Sequence, residues 1–204
     1  MADKSIYLAS RSPRRRELLR QIGIAFEVIL LREAPRYPAD FDETPKAGET
    51  PDDYVLRIAR EKALAAVGTM CARRLAVRPV LAADTTVVCD DAILGKPADA
   101  ADAARMLGLL GGRMHRVLTA VAVAGGGDVE VRVAESRVWF RALAADEIRR
   151  YVATGEPVDK AGAYAVQGRA AAFITLIEGS YSGIMGLPLA ETADLLRGHG
   201  ISVP

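Results

Sequence analysis

Thiols, imidazoles and aromatic rings are scarce in this chain of 204 residues, with two cysteines, two histidines and an aromatic share of 5%. Cys71 and Cys89 belong to no CxxC or Cys/His ligand spacing, which argues against a structural zinc site. One falls in a predicted helix and the other in a predicted strand, so both read as free core thiols suited to a reducing compartment. Neither histidine stands where it could activate a serine, and serine nucleophile chemistry is not expected. His115 and Arg113 could touch a ligand, but a lone histidine at a strand start reads first as structural. No GxxxxGK[ST] occurs, which excludes a P-loop mechanism. No long apolar run occurs at the Met1-Ala2-Asp3-Lys4 start, so no signal peptide or membrane span is expected and the cytoplasm is the expected compartment. A formal net charge of +1 gives no general field for nucleic acid or membrane, and no aromatic-interleaved basic surface points to nucleic acid. Lysine is scarce too, five against 22 arginines, which makes the position of each one informative.

What is present is core-forming sequence and local charge. Half of the residues are apolar, enough for one domain over 1–204. The chain opens with a short apolar strand to Ala9, followed by Ser10-Arg11-Ser12-Pro13-Arg14-Arg15-Arg16 and a helix whose buried side is Leu18, Leu19 and Ile22. Ser12 and Pro13 fit the cap and first turn. Three arginines in that turn do not fit, because the dipole there is already positive. Free amides, two serine hydroxyls and arginines at a helix start are the parts of a phosphate site. A solvated arginine face is the alternative.

Phe26 to Leu31 reads as a second strand, and residues 32–50 as a long loop holding the acidic pair Asp42-Glu43, which could equally be a solvated charge pair. Thr50-Pro51-Asp52-Asp53 opens a long helix. Val55, Ile58, Ala59, Ala63 and Ala66 form its buried stripe, and Lys62 lies on or beside that stripe, where it either snorkels to water or faces a ligand. Val80 to Cys89 is a strand without alternation, hence covered on both faces, and Asp84 interrupts it. A buried carboxylate is costly unless it is paired, hydrogen-bonded or metal-bound. Asp90-Asp91 turns the chain back through Ala92-Ile93-Leu94 to Gly95-Lys96-Pro97. Asp99 to Leu110 reads as a surface helix, Val117 to Ala124 and Val129 to Phe140 as a hairpin with one wet face, and Asp146 to Thr154 as a short helix. After a loop come a strand over Ala171 to Glu178, a loop over Gly179 to Gly183, and a last helix entered through Gly186-Leu187-Pro188-Leu189. Strands and helices alternate without internal repeats, which predicts an α/β architecture.

Ser10-x-Ser12-Pro13-Arg14-Arg15, Ala59-Arg60-Glu61-Lys62-Ala63, Ala83-Asp84-Thr85 with Leu94-Gly95-Lys96-Pro97, and the segment Asp159 to Tyr164 with Gln167-Gly168 resemble, in order, the motifs of the Maf family of nucleoside triphosphate pyrophosphatases. The resemblance runs from Ile6 to about Leu196. It implies an elongated, mixed, twisted sheet with flanking helices, as in inosine triphosphate pyrophosphatases, and an active-site cleft between two lobes. It further implies hydrolysis of a nucleoside triphosphate to monophosphate and pyrophosphate with a divalent cation, Mg²⁺ or Mn²⁺. Asp84 is then the catalytic carboxylate and metal ligand, with Glu43 as second ligand. Ser10, Arg14, Lys62, Thr85, Lys96 and Gln167 are then the substrate-binding residues. Asp159-Lys160-Ala161-Gly162-Ala163-Tyr164, Gln167-Gly168 and Gly179-Ser180-Tyr181 resemble the dTTP/UTP branch. The 7-methyl-GTP branch typically carries Ser-Phe at Ala163-Tyr164 and glutamate at Gln167. Arg11 stands where a small residue is usual, and Ala170 to Ala172 replace a glycine-rich stretch. The family was named for restraint of septum formation, so an interaction protein acting through partners is the competing reading, and the resemblance leaves room for a homodimer.

Overall fold

In a computed structural model that describes residues 5–32 and 40–203, the chain runs β1 (Ile6–Leu8), α1 (Pro13–Gln21), β2 (Phe26–Val28), α2 (Pro51–Ala72), β3 (Val80–Cys89), β4 (Ala92–Leu94), α3 (Ala100–Leu110), β5 (Met114–Gly125), β6 (Asp128–Phe140), α4 (Ala145–Val152), β7 (Ile174–Glu178), α5 (Tyr181–Met185) and α6 (Leu189–Gly198). The expected start at Met1–Lys4 and part of the loop expected over 32–50, residues 33–39, lie outside the described residues. The seven strands form one mixed sheet in the order β2-β1-β3-β5-β6-β7, with β4 on β3. β1 runs parallel to β2 and β3, whereas β4 and β7 run antiparallel to β3 and β6. Buried on nearly every residue, β3 is covered on both faces, as its lack of alternation predicts, with Asp84 interrupting the apolar run.

The chain divides into two compact units. The first holds residues 1–84, 119–133 and 186–204, the second 85–118 and 134–185. In the first, Ser12 caps α1, its hydroxyl accepting from the Arg15 amide at 3.4 Å, and Leu18 and Leu19 are its buried residues. Burying each side chain contributes roughly 1.5–3 kcal/mol. Thr50 caps α2 in the same way, accepting from the Asp53 amide at 3.1 Å, and Asp52 and Asp53 complement the dipole. Its buried residues Val55, Ile58, Ala59, Ala63, Ala66 and Met70 recur at helical spacing.

In the second unit, Val87, Leu94, Leu107, Leu110, Val138, Phe140 and their neighbours form one hydrophobic cluster. Asp90 (φ +49°) and Asp91 (φ +61°) make the tight turn between β3 and β4, a left-handed pair that aspartate tolerates better than most residues. Gly162, at φ +65°, has room for no side chain, since a Cβ there would stand 2.9 Å from the Val87 methyl groups.

Several boundaries differ from the sequence reading. β2 stops at Val28, and the strand expected from Ala171 begins only at Ile174, because Arg169–Phe173 winds into a 3₁₀ helix. Tyr181–Met185 is helical rather than loop, since the Ser180 hydroxyl accepts from the Gly183 amide at 2.9 Å and starts a turn. Alternation along β6 shifts at its middle: Val133 is exposed, and Ala134, Ser136, Val138 and Phe140 are buried. Cys89 is a buried core thiol, but Cys71 lies on the exposed side of α2.

Candidate active site

In the first unit, the polar side chains singled out above come from just past β1, from the interior of α2 and from the middle of β3. Ser10 is buried just past β1, and its Oγ accepts from the Ser12 amide at 3.1 Å and from Arg15 Nη1 at 3.4 Å. Arg15 Nε also donates to the Gly186 carbonyl at 2.7 Å, which ties the start of α1 to the entry of α6. Burial lowers the Arg15 guanidinium's pKa, against an opposing pull from Asp84, and Arg14 lowers it further while Glu43 raises it. The resemblance singled out Arg14; that residue stands half-buried beside Arg15, and the guanidinium that meets Ser10 is the one a residue later. Arg16 and Arg11 also have internal acceptors, the carbonyls of Arg11 at 3.2 Å and Leu31 at 3.0 Å. Part of the positive charge that the helix dipole disfavours is therefore answered by carbonyl dipoles within the chain.

Lys62 lies at the margin of the buried stripe of α2 and does not snorkel. Its Nζ is 2.7 Å from Asp84 Oδ1 and 2.7 Å from Glu43 Oε1, and it stands 5.2 Å from the centre of the Phe41 ring. The side chains of Lys62 and Asp84 are each only 13% exposed, so this ion pair is shielded from solvent far more than an ordinary surface pair. The carboxylate inside β3 thus finds its partner across on α2 rather than in backbone donors at a strand kink. Glu43 is more open, and its pairing with Lys62 separates it from a merely solvated charge pair.

The loop that carries Glu43 is fastened to α2 by two further side chains. The Tyr54 hydroxyl donates to the Glu43 carbonyl at 3.0 Å. Arg57 donates to the carbonyls of Asp42 at 3.2 Å and Thr44 at 3.1 Å, and its Nε and Nη2 grip the Glu49 carboxylate at 2.5 and 2.8 Å. That bidentate grip holds the Glu49 carboxyl down at about 2. Burial pushes the Tyr54 phenol up to about 12, with Asp84 and Glu43 adding to the effect. Sequence reasoning placed Arg15 only among the arginines at the helix start and missed Tyr54, Arg57 and Glu49 as parts of this neighbourhood. For Arg57 the readable signal was its place one turn before Glu61 on a helix facing an acidic loop.

Two carboxylates converging on one cationic nitrogen mark a position that accepts positive charge. Among the described residues no group of three or more His, Cys, Asp and Glu side chains could hold a metal ion. Such a pair does not suit structural zinc, but it fits a hard Mg²⁺-type ion, which takes one or two carboxylates and completes its shell with water and substrate phosphate oxygens.

The second unit holds Thr85, Lys96 and Gln167. Thr85 follows Asp84 in β3 and is half-buried. The β3–β4 register pairs Val87 with Leu94, so the hairpin carries exposed Lys96 back along β3 toward Thr85. Gln167 is exposed in a turn two residues before Arg169, whose amide Glu156 holds. The Glu156 carboxylate accepts from the amides of Arg169 at 3.0 Å and Ala170 at 3.4 Å and from the Tyr151 hydroxyl at 2.9 Å. Burial works against its ionisation, yet these donors win and hold its pKa below the ordinary range. His115 is structural: it is buried, its Nε2 is 2.8 Å from the Tyr164 hydroxyl, and its ring packs edge-on against Phe140. Arg113 pairs with Asp90 at the hairpin turn.

Comparison with known proteins gives the chain's family and fold. A protein of Aromatoleum aromaticum named dTTP/UTP pyrophosphatase is 58% identical over 196 residues, covering 96% of this chain and 95% of the relative. A protein of Nitrosomonas europaea with the same name is 54% identical over 202 residues, covering 99% and 98%. Among solved structures, the Staphylococcus aureus Ham1 protein superimposes with a TM-score of 0.51 at 16% identity, over 96% of this chain and 99% of that one, which shows a shared fold. A sequence profile described as Maf-like protein matches residues 5–199, a span that takes in both units and every motif that carries these side chains, and the chain belongs to the Maf-like family.

Proposed function

We propose that this chain hydrolyses dTTP and UTP to the nucleoside monophosphate and pyrophosphate, with a divalent cation of the Mg²⁺ type. The observation that carries the reading is the Lys62 ammonium held at 2.7 Å by both Asp84 and Glu43, two carboxylates and a cation converging on one position. The activity named for the relatives supports the same reaction and does not favour a role in septum formation through partners.

In this reading water attacks the α-phosphorus, a new P–O bond forms, and the bond from that phosphorus to the bridging oxygen breaks to release pyrophosphate. Asp84 orients the water and takes its proton, and Glu43 and Asp84 would hold the metal. A bound divalent ion supplies neutralisation of charge on the phosphate oxygens. The Ser10 hydroxyl, at the start of α1, holds a phosphate oxygen, while Arg14, Lys62 and Lys96 distribute positive charge along the triphosphate. Thr85, the residue after Asp84 in β3, is the further substrate-binding hydroxyl. Gln167 offers both a donor and an acceptor to the alternating oxygen and N–H edge of uracil or thymine.

The test is pyrophosphate release from UTP, dTTP, CTP and 7-methyl-GTP with Mg²⁺, Mn²⁺ or chelator. Release from UTP and dTTP that requires a metal is expected. Orthophosphate as the product, or no turnover of any pyrimidine nucleotide, would refute the proposal.

A further inference from the structure

The geometry points to Arg57 as a positioning residue that sets where the Glu43 carboxylate stands. This inference rests on the proposed role of Glu43 as a metal ligand. An exposed glutamate on a loop without helix or strand is a poor ligand on its own, because its backbone would have to be ordered each time a metal bound. Here the three consecutive carbonyls of Asp42, Glu43 and Thr44 are all held by α2, two by the Arg57 guanidinium and the middle one by Tyr54. Arg57 lies in the interior of α2, which cannot move without unseating Ile58, Ala59 and Ala63.

The fork is itself fixed, since Glu49 occupies Nε and Nη2 and Glu61 takes Nη1 at 3.3–3.4 Å. The planar guanidinium sits almost wholly shielded, its side chain 14% exposed and that of Glu49 8% exposed. Lysine could not reproduce this, because one ammonium cannot donate to two backbone carbonyls and a bidentate carboxylate at once. Glu49 in turn accepts from the Lys46 amide at 3.0 Å, so the far side of the loop is bound into the same grip. The loop thus delivers Glu43 Oε1 to Lys62, five residues beyond Arg57 on α2. Ion-pair networks of this kind also serve stability alone, so the test must read position as well as folding.

Three variants decide it: Arg57→Gln, Glu43→Gln and the double substitution. Amide hydrogen exchange of the metal-free protein should show the Thr44, Lys46 and Glu49 amides, protected in the parent by Asp42, Glu49 and the Lys46 carbonyl, exchanging at least tenfold faster in Arg57→Gln. The Mg²⁺ concentration for half-maximal UTP turnover should rise about tenfold in Arg57→Gln, with a kcat loss of roughly 10- to 100-fold that KM does not share. In the Glu43→Gln background the added Arg57→Gln should cost almost nothing further. Tyr54→Phe, which removes a single bond to Glu43, should show the same pattern more weakly and guards against a misfolded Arg57 variant. Unchanged exchange and Mg²⁺ dependence, or an equal loss in both backgrounds, overturns the positioning role. Faster exchange with an unchanged Mg²⁺ requirement in Glu43→Gln would instead overturn the reading of Glu43 as ligand.

Discussion

Lys62 on α2 and Asp84 within β3 meet at 2.7 Å although 22 residues separate them, and the same ammonium is shared with Glu43. Replacing Lys62 leaves two carboxylates without their cation, whereas replacing either carboxylate leaves Lys62 paired with the other.

Lys62→Met should therefore do more than weaken substrate binding. It leaves two carboxylates converging without their cation. A loss of roughly 10²-fold in kcat/KM for UTP at neutral pH is expected. Steady-state kinetics check this, and a kcat/KM equal to the parent's would show that the ammonium between the two carboxylates is dispensable.

Gln167→Glu replaces an amide that can donate with a group that cannot, and places charge against a base carbonyl. Sites built on hydrogen bonds reject such a mismatch by several kcal/mol, about 10²-fold or more in kcat/KM. UTP and dTTP should suffer together and CTP less. An equal fall for every nucleotide, or none for UTP and dTTP, would remove Gln167 from base reading.

Gly168→Ala should destabilise through one neighbour. A Cβ at Gly168 would stand 2.0 Å from Glu156 Oε1, and that carboxylate is already committed to the amides of the 3₁₀ turn. A cost of about 1–3 kcal/mol is expected for such overpacking, lowering Tm by roughly 3–10 °C at this chain length. In a Glu156→Ala background the same substitution should cost little. Additive losses in a thermal scan of the single and double variants would contradict the steric origin.

His115 predicts how stability falls in mild acid. Burial pulls its pKa down to about 4, and its Nδ1 is buried without a partner among the described residues. The folded state therefore binds fewer protons than the unfolded chain between pH 6.5 and 4. Stability is complete above about 6.5 and declines as pH falls through that window, by an amount on the order of 2–3 kcal/mol. Groups such as Glu49, held at about 2, add their own loss only below the ordinary carboxylate range. Urea unfolding at pH 7, 6, 5 and 4 measures the decline, and His115→Gln should flatten it between 6.5 and 4.5. An unchanged slope would place its origin elsewhere.

The sequence showed these features unevenly. Asp84 was conspicuous because it breaks an apolar run, and Lys62 because it stands beside an apolar stripe; both anomalies have the same physical origin, each charge being the other's partner. The β3–β4 hairpin was legible from Asp90-Asp91, whose side chains tolerate the left-handed turn. Arg15 could not be told from Arg14 or Arg16, since neighbours on a helix differ only by rotation, and what selects Arg15 is a carbonyl at Gly186, 171 residues away. Long-range capture also hid the 3₁₀ turn at Arg169–Phe173, where Glu156 takes the first amides and holds off the strand until Ile174. The pairing of Arg57 with Glu61 one turn on was legible, but its clamp on the carbonyls of Asp42 and Thr44 was not, because no side-chain pattern reports backbone acceptors.

The central claim is that Asp84, set by Lys62 beside Glu43, carries the hydrolysis of pyrimidine nucleoside triphosphates. Its most direct measurement is pyrophosphate release from UTP by the parent and by Asp84→Asn, each with Mg²⁺ and each checked for an intact thermal transition. The account predicts one pyrophosphate per UMP from the parent and a loss of roughly 10²-fold or more in the variant, the scale of a positioned base or metal ligand, with folding retained. Turnover by Asp84→Asn close to the parent's would contradict it.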